Sequence, residues 1–157
     1  MKKLHIVFAA ALMLSPIKAF AATVGAPFSG AVLSTCILVA GTPGIIAPNA
    51  DYTDLSSHNG GGLASLVTAT ATGSGYDITT EAPSAFTAAP AGADTGTTFS
   101  SSYALSGATT AAEADGATPG EINVGISTVT VHMAAAKSGD VFPASPTYTA
   151  IVTVRCE

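Results

Sequence analysis

The chain has 157 residues, of which 48% are hydrophobic and only 10% are charged. Beyond residue 21, ten acidic residues stand against two basic ones, a net charge of −8. That balance excludes nucleic-acid binding through phosphate neutralisation and disfavours contact with anionic membranes. The length fits one domain with its own core, and Thr, Ser, Gly and Ala take the place of charge, as is typical of secreted β-proteins.

Residues 1–21 have the pattern of a Sec signal peptide. Lys2 and Lys3 are followed by an apolar stretch over residues 4–14, and Ala19-Phe20-Ala21 is typical of a cleavage site. That stretch is too short for a membrane span, and no later segment reaches about 18 apolar residues in a row. We therefore predict an exported chain without a membrane span, in the periplasm, at the cell surface or outside the cell. Residues 22–157 would form a single domain.

Alternating apolar residues predict strands in the first half of this domain. In residues 23–40 one apolar set falls on even positions, and Pro27 and Gly30 divide the segment into two strands. The members of this set are Val24, Ala26, Phe28, Val32, Cys36 and Leu38. Residues 63–72 alternate next. We expect them to pair with residues 76–81 as a hairpin across the glycine-containing connection at 73–75.

The second half continues the β pattern. Phe86 is expected in the core within an irregular stretch, and residues 99–105 alternate again. The best helical candidate, residues 109–115, has room for one turn only. Residues 121–133 are the longest segment with a β pattern and change phase, which predicts a bulge or bend near residues 127–128. About seven strands predict an all-β sandwich, with a small barrel as the alternative.

The two cysteines predict a disulfide. Cys156 shares one face of the last strand with Tyr148, Val152 and Val154, and Cys36 lies in phase with the apolar residues of the first segment. Two cysteines on core faces of an exported chain most simply pair with each other. The alternative is a pair of buried free thiols.

The segment FPASPTYTAIVTVRC, residues 142–156, resembles the end of chaperone–usher pilin subunits and of spore coat protein U-like domains. The front of the chain is similar too, with a signal peptide, an alternating segment over residues 22–33 and then a cysteine. The resemblance implies an incomplete immunoglobulin-like sandwich, whose N-terminal extension completes a neighbouring subunit by strand addition. The donor side chains would be Val24, Ala26, Phe28 and Val32.

The resemblance also implies partners and a function. The partners would be further copies of the chain or other pilus subunits, together with a periplasmic chaperone. The chain would be an exported structural or adhesive surface protein that needs no cofactor and is not an enzyme. Pilins, however, usually bridge two cysteines in their first half. A sandwich closed by its own last strand would have no open groove to be completed.

The loop over residues 51–62 carries the alternative function, a monomeric secreted module that binds a glycan or calcium. Asp51, Asp54 and Asn59 offer oxygen ligands for Ca²⁺ but lack the EF-hand pattern. Ser56, His58 and Asp54 are a weaker candidate triad, since sequence proximity does not assemble one. The tyrosines at 52, 76 and 103 are candidate sugar-stacking rings, with core packing the more favoured interpretation. His132 is expected on an exposed strand face.

Overall fold

The computed structural model describes residues 23–157, so the predicted signal peptide and Ala22 lie outside the described residues. The fold below is that of residues 32–157, which form one compact unit. Within it there are ten strands and no helix among the described residues. The strands are β1 (Cys36–Ala40), β2 (Ala47–Pro48), β3 (Asp54–Ser56), β4 (Ser65–Ala71), β5 (Tyr76–Glu81), β6 (Thr97–Gly107), β7 (Ala111–Asp115), β8 (Gly120–Ile122), β9 (Gly125–Lys137) and β10 (Thr153–Cys156).

Seven of the strands form a large antiparallel sheet built around β9, the longest strand. On one side β9 pairs with β6 along its length, and β7 follows β6. On the other side, the first half of β9 pairs with β4, whose other neighbour in the sheet is β1. The second half of β9 pairs with β3, whose other neighbour is β2. Val129 illustrates the register, since it lies opposite both Val67 and Leu105.

The remaining three strands form a small antiparallel sheet in the order β10-β5-β8. Its inner face packs on the large sheet, so the main core draws on both. The buried residues of this core are Ala69, Ala71, Ile78, Tyr103, Leu105, Ile122, Val129 and Val131. Ile78 and Ile122 belong to the small sheet and are essentially inaccessible to solvent. This arrangement is an all-β sandwich, as the alternating patterns predict.

A second core cluster lies at the other end of the large sheet. Its buried members are Leu55, Phe86, Ala93, Met133, Ala135 and Phe142. Phe86 is buried as predicted and meets the rings of Phe99, Phe142 and Tyr148 edge-on. These edge-to-face contacts fix an irregular part of the chain that has few strand hydrogen bonds of its own.

The predicted disulfide is confirmed. Cys36 in β1 and Cys156 in β10 are bonded, with their Cα atoms 6.3 Å apart and 120 residues between them in sequence. Because β1 belongs to the large sheet and β10 to the small one, the bond is a covalent link between the two layers. It also ties the last strand to the first.

Two predicted features of the first half are changed by the structure. Residues 65–71 and 76–81 do not form a hairpin, because β4 lies in the large sheet and β5 in the small one. The glycine-containing connection between them is an arch from one layer to the other. The segment 23–40 contains one strand and not two, since β1 begins at Cys36 and residues 23–35 have no regular structure.

Two predictions in the second half were also wrong. The one-turn helix over residues 109–115 is instead the edge strand β7, which is held by its pairing with β6. The bulge near residues 127–128 is absent, since the register of β9 with β4 and β6 runs through this point without a shift. The alternation of residues 121–133 changes phase because they belong to two strands. Ile122 ends β8 and is buried in the small sheet, whereas β9 begins at Gly125 in the large sheet.

Candidate functional site

An apolar groove with a volume of about 1320 Å³ lies between two segments of irregular chain. Its floor is the inner face of the large sheet, represented by Leu55, Val67, Val131 and Met133. One wall is the segment that follows β1, residues 40–48. The other wall is the segment that leads into β10, and its lining residues run from Val141 to Val154.

Backbone groups along this second wall lack strand partners. Thr149 forms an isolated bridge with Ala88, and regular pairing begins only at Thr153. Within residues 23–157, the backbone of Ala150, Ile151 and Val152 makes no backbone hydrogen bond. On the opposite side, β1 is an edge strand that pairs with β4 alone. An edge with free N–H and C=O groups is a template for an additional strand.

Large apolar side chains are exposed at the groove. Ile45, Leu63 and Ile151 line it and keep 50%, 56% and 67% of their surface accessible. Ile45 and Leu63 are bridged to each other on the first wall, and Ile151 points out from the second. A concentration of exposed apolar residues around one cleft is typical of a site for another polypeptide or ligand.

The disulfide marks one end of the groove. The lining begins at Ala40 on the wall that follows Cys36 and at Val154 on the wall that precedes Cys156. The chain runs from Cys36 into one wall and from the other wall to Cys156. The disulfide therefore holds the two walls together at this end of the groove, and they separate with distance from the bond. The bond closes one end only.

The predicted donor residues lie in the segment before β1. Val24, Phe28 and Val32 have 94–95% of their surface exposed, and Ala26 is exposed as well. All four occupy even positions, so an extended conformation would place them on one face. Exposed valine and phenylalanine side chains with this spacing match the chemistry of the groove.

The start of β1 has a defined direction. The Thr35 amide donates to Thr72 Oγ1 at 2.9 Å, and the two threonine hydroxyls lie 3.0 Å apart. The Tyr76 hydroxyl donates to Ser34 Oγ at 3.3 Å. These contacts hold residues 34–35 as a continuation of β1 along β4.

The candidate calcium ligands are partly brought together. Asn59 Nδ2 donates to Asp54 Oδ2 at 2.8 Å and to the carbonyl of Ala47 at 2.9 Å. Asp54 and Asn59 thus meet through a hydrogen bond that holds a turn, with the amide presenting its nitrogen and not its oxygen to the carboxylate. Asp51 is exposed at the start of the loop. The calcium site stays a prediction.

The candidate triad is not assembled. The ring of His58 contacts Glu113, with Nε2 3.0 Å from Oε1, and Asp54 is held instead by Asn59. Ser56 Oγ accepts the backbone N–H of His58 at 3.2 Å and does not contact the ring. Among the sugar-stacking candidates, Tyr103 is buried in the core, whereas Tyr52 is exposed at the rim of the groove.

His132 lies on the outer face of the large sheet, as predicted, but it is half-buried and meets His58 there. The two rings stack with centroids 3.9 Å apart and planes 13° from parallel. Burial lowers the pKa of His132, the charge of His58 acts in the same direction, and Glu113 opposes both. A hydrogen bond from Ser102 lowers the pKa of Glu113, and His58 adds to that effect.

The apolar alternation locates neither the groove nor the histidine cluster, although the resemblance to pilin subunits implies an open sandwich. The sequence signal for the groove is weak and consists of a proline- and glycine-rich stretch at residues 41–48 and a stretch with two prolines at residues 143–146. His58, Glu113 and His132 have no sequence signature, because they come from distant segments. Comparisons with protein-family models, curated proteins and solved structures return no match. Among residues 23–157, no helix is long and apolar enough to cross a bilayer.

Proposed function

We propose that this chain is an exported structural subunit of a surface polymer and that it assembles by β-strand addition. Residues 24–32 of one copy would lie in the groove of the next. The observation that carries the proposal is the groove itself, an apolar cleft with an unpaired backbone edge at Ala150–Val152. The disulfide is compatible with export, and the resemblance to pilin subunits points in the same direction.

The energetics favour occupation of the groove. In water, Val24, Phe28 and Val32 expose nearly all of their surface. Complete burial of a valine or phenylalanine side chain contributes about 1.5–3 kcal/mol. An added strand would also satisfy the free backbone groups of the second wall, and such main-chain hydrogen bonds supply affinity in strand addition generally.

The donor would come from a second copy. Thr35 and Ser34 are held in line with β1 by Thr72 and Tyr76. To reach its own groove, which lies beyond Ala40, the segment would have to reverse within these two residues and break those contacts. The groove of another subunit imposes no such reversal. Each chain then donates one strand and accepts one, which produces an open-ended polymer.

The same groove suggests how a subunit is protected before assembly. An exposed apolar cleft with a free strand edge is prone to non-specific pairing. A periplasmic chaperone that lends a strand to the groove would prevent this, as the resemblance to pilins implies. The competing function, a monomeric module that binds its ligand on the loop over residues 51–62, requires neither the groove nor the extension.

Aspartate substitutions in and outside the groove test the proposal. Ile151→Asp places a charge at a groove position that is 67% exposed, and Ile126→Asp makes the same change on β9 outside the groove, at 65% exposure. We expect SDS-resistant ladders in unboiled samples of the wild type and of Ile126→Asp. Ile151→Asp should form none, while both variants keep the β-sheet circular dichroism of the wild type.

Mixing distinguishes donor from acceptor. A chain lacking residues 22–33 keeps its groove, and Ile151→Asp keeps its donor segment, so neither should polymerise alone. Mixed, they should give a heterodimer of one donor and one acceptor and nothing larger. A wild type that never forms ladders, or ladders that survive deletion of residues 22–33, would contradict strand addition and favour the monomeric binding module.

A further inference from the structure

The two histidines of residues 23–157 come together on the outer face of the large sheet, away from the groove. His132 lies on β9, and Ser102 of β6 is its register partner. Glu113 lies on β7, the next strand, and accepts the Ser102 hydroxyl at 2.5 Å. His58 approaches from the other side of β9, in the turn after β3. Three separate segments thus converge on one point.

The distances within this cluster suit a single ion. His58, Glu113 and His132 each offer a ligand atom, and these atoms all lie within 4.8 Å of one another. Donors bound to one tetrahedral zinc ion at about 2.0–2.1 Å lie roughly 3.3 Å apart. His58 Nε2 and Glu113 Oε1 are already 3.0 Å apart. His132 offers the third ligand atom within 4.8 Å of both.

Ser57 orients His132 in the way that metal-binding histidines are usually oriented. Its Oγ lies 3.0 Å from His132 Nδ1 and accepts the Met133 N–H at 3.2 Å, and its hydroxyl can donate to the Met133 carbonyl at 3.4 Å. When the Ser57 hydroxyl donates its hydrogen to the Met133 carbonyl, Ser57 Oγ accepts a hydrogen bond from Nδ1–H of His132. The lone pair of His132 is then on Nε2, free to bind a metal.

His58 supplies the adjustable part of the site. The lone pairs of two stacked imidazoles lie in parallel planes, so both cannot point at one ion while the stack persists. The His58 side chain is 51% exposed and lies in a turn, so its ring is free to rotate out of the stack. His132, held by Ser57, and Glu113, held by Ser102, are the fixed ligands.

From this geometry we propose that His58, Glu113 and His132 bind one divalent transition-metal ion, and we assign zinc. Two imidazoles and one carboxylate are a zinc ligand set, with water in the fourth position at this exposed surface. Calcium and magnesium prefer oxygen ligands alone. The ion would join the turn after β3 to the edge strand β7 across β9 and would therefore stabilise the outer face of the sheet. The proposal is independent of strand addition.

Isothermal titration of the untagged, EDTA-treated mature chain with zinc tests the site. We expect one equivalent to bind, and cobalt(II) in its place should give the visible absorption of a tetrahedral complex. Ser57→Ala, which removes only the orienting hydrogen bonds, should weaken zinc binding by about 10–100-fold. His58→Gln and Glu113→Gln should abolish it. The matched control, Glu121→Gln on exposed β8 sequence, should leave it unchanged.

Each outcome decides the matter if the variants retain the circular dichroism of the wild type. Absence of saturable binding at millimolar zinc would overturn the proposal. Binding that His58→Gln and Glu113→Gln leave intact would show that zinc binds elsewhere, and it would overturn the proposal equally. Calcium binding of similar affinity would contradict imidazole coordination.

Discussion

Tyr103 lies in the middle of β6 with 2% of its surface exposed, and its hydroxyl reaches the small sheet. The oxygen is 2.9 Å from the carbonyl of Ile78 and 2.7 Å from that of Thr118, so it can donate to either. Tyr103→Phe keeps the ring and removes this bond between layers. We expect the free energy of unfolding to fall by about 1–2 kcal/mol in urea denaturation. Tyr52→Phe, at an exposed ring, is the control, and equal losses in both variants would contradict this role.

The same residue predicts a dependence on pH. Burial raises the pKa of Tyr103, and the nearby Asp77 carboxylate raises it further. An unfolded tyrosine ionises near pH 10. Above about pH 10 the unfolded chain therefore loses a proton that the folded chain retains, and stability falls as pH rises. Below that pH both states keep the proton, so Tyr103 adds nothing to the pH dependence of stability. Stability measured between about pH 9 and 11 should decline less steeply in Tyr103→Phe, and identical slopes would count against this explanation.

Lys137 shows how the chain uses one of its few positive charges. It is only 7% exposed, and its Nζ donates to the carbonyls of Gly92, Ala93 and Thr95 at 2.7, 3.2 and 3.0 Å. Lys137→Met leaves these carbonyls without their donor, so we expect a loss of about 2 kcal/mol in denaturant unfolding. Arg155→Met removes an exposed ion pair with Glu81 and should cost much less. The reverse ranking would contradict the structural role of Lys137.

At the scale of elements, alternation predicted which side chains are buried but not which strands are neighbours. Ala69 and Ala71 of β4 and Ile78 of β5 all face the core, as their phase indicates. A hairpin in one sheet and an arch between two sheets bury the same residues, so the pattern cannot distinguish them. The phase change after Ile122 is ambiguous for the same reason, because a bulge and a passage between layers have identical periodicity.

The donor segment should show this alternation functionally. Phe28 is on the even face and Ser29 on the odd one, and both are exposed before assembly. Phe28→Asp would place a charge in the apolar groove and should abolish SDS-resistant ladders. Ser29→Asp should leave them intact, because that side chain would face away from the groove. Equal effects of the two substitutions would indicate that the segment does not bind as a strand.

For the whole molecule, the disulfide is the main link between the layers at the start of the groove. The bond joins two cysteines that are 120 residues apart in sequence. Loss of a native disulfide from a small secreted domain typically lowers the free energy of unfolding by about 2–5 kcal/mol. We expect the double variant Cys36→Ser, Cys156→Ser to unfold at correspondingly lower urea concentration, and dithiothreitol to destabilise the wild type to a similar extent. A double variant as stable as the oxidised wild type would show that packing alone holds the sheets together.

The extent of sequence prediction at this scale has a physical limit. Cys36 and Cys156 were paired from sequence because only two cysteines exist and both lie on apolar faces. The alternating pattern does not locate the groove, because the groove depends on where strands are missing, at Ala150–Val152 and after Ala40. The cluster of His58, Glu113 and His132 was not predicted either, since the pairing of β9 with both β3 and β6 assembles it.

Hydrogen exchange on a mature chain lacking residues 22–33 tests the central claim most directly. A synthetic peptide of residues 22–33 is added, and the same peptide with Phe28→Asp serves as the control. The amides of Ala150, Ile151 and Val152 have no backbone partner in residues 23–157 and should exchange quickly. Strand addition predicts that the native peptide slows their exchange and that the control peptide does not. Unchanged exchange at these three amides with the native peptide would contradict the account.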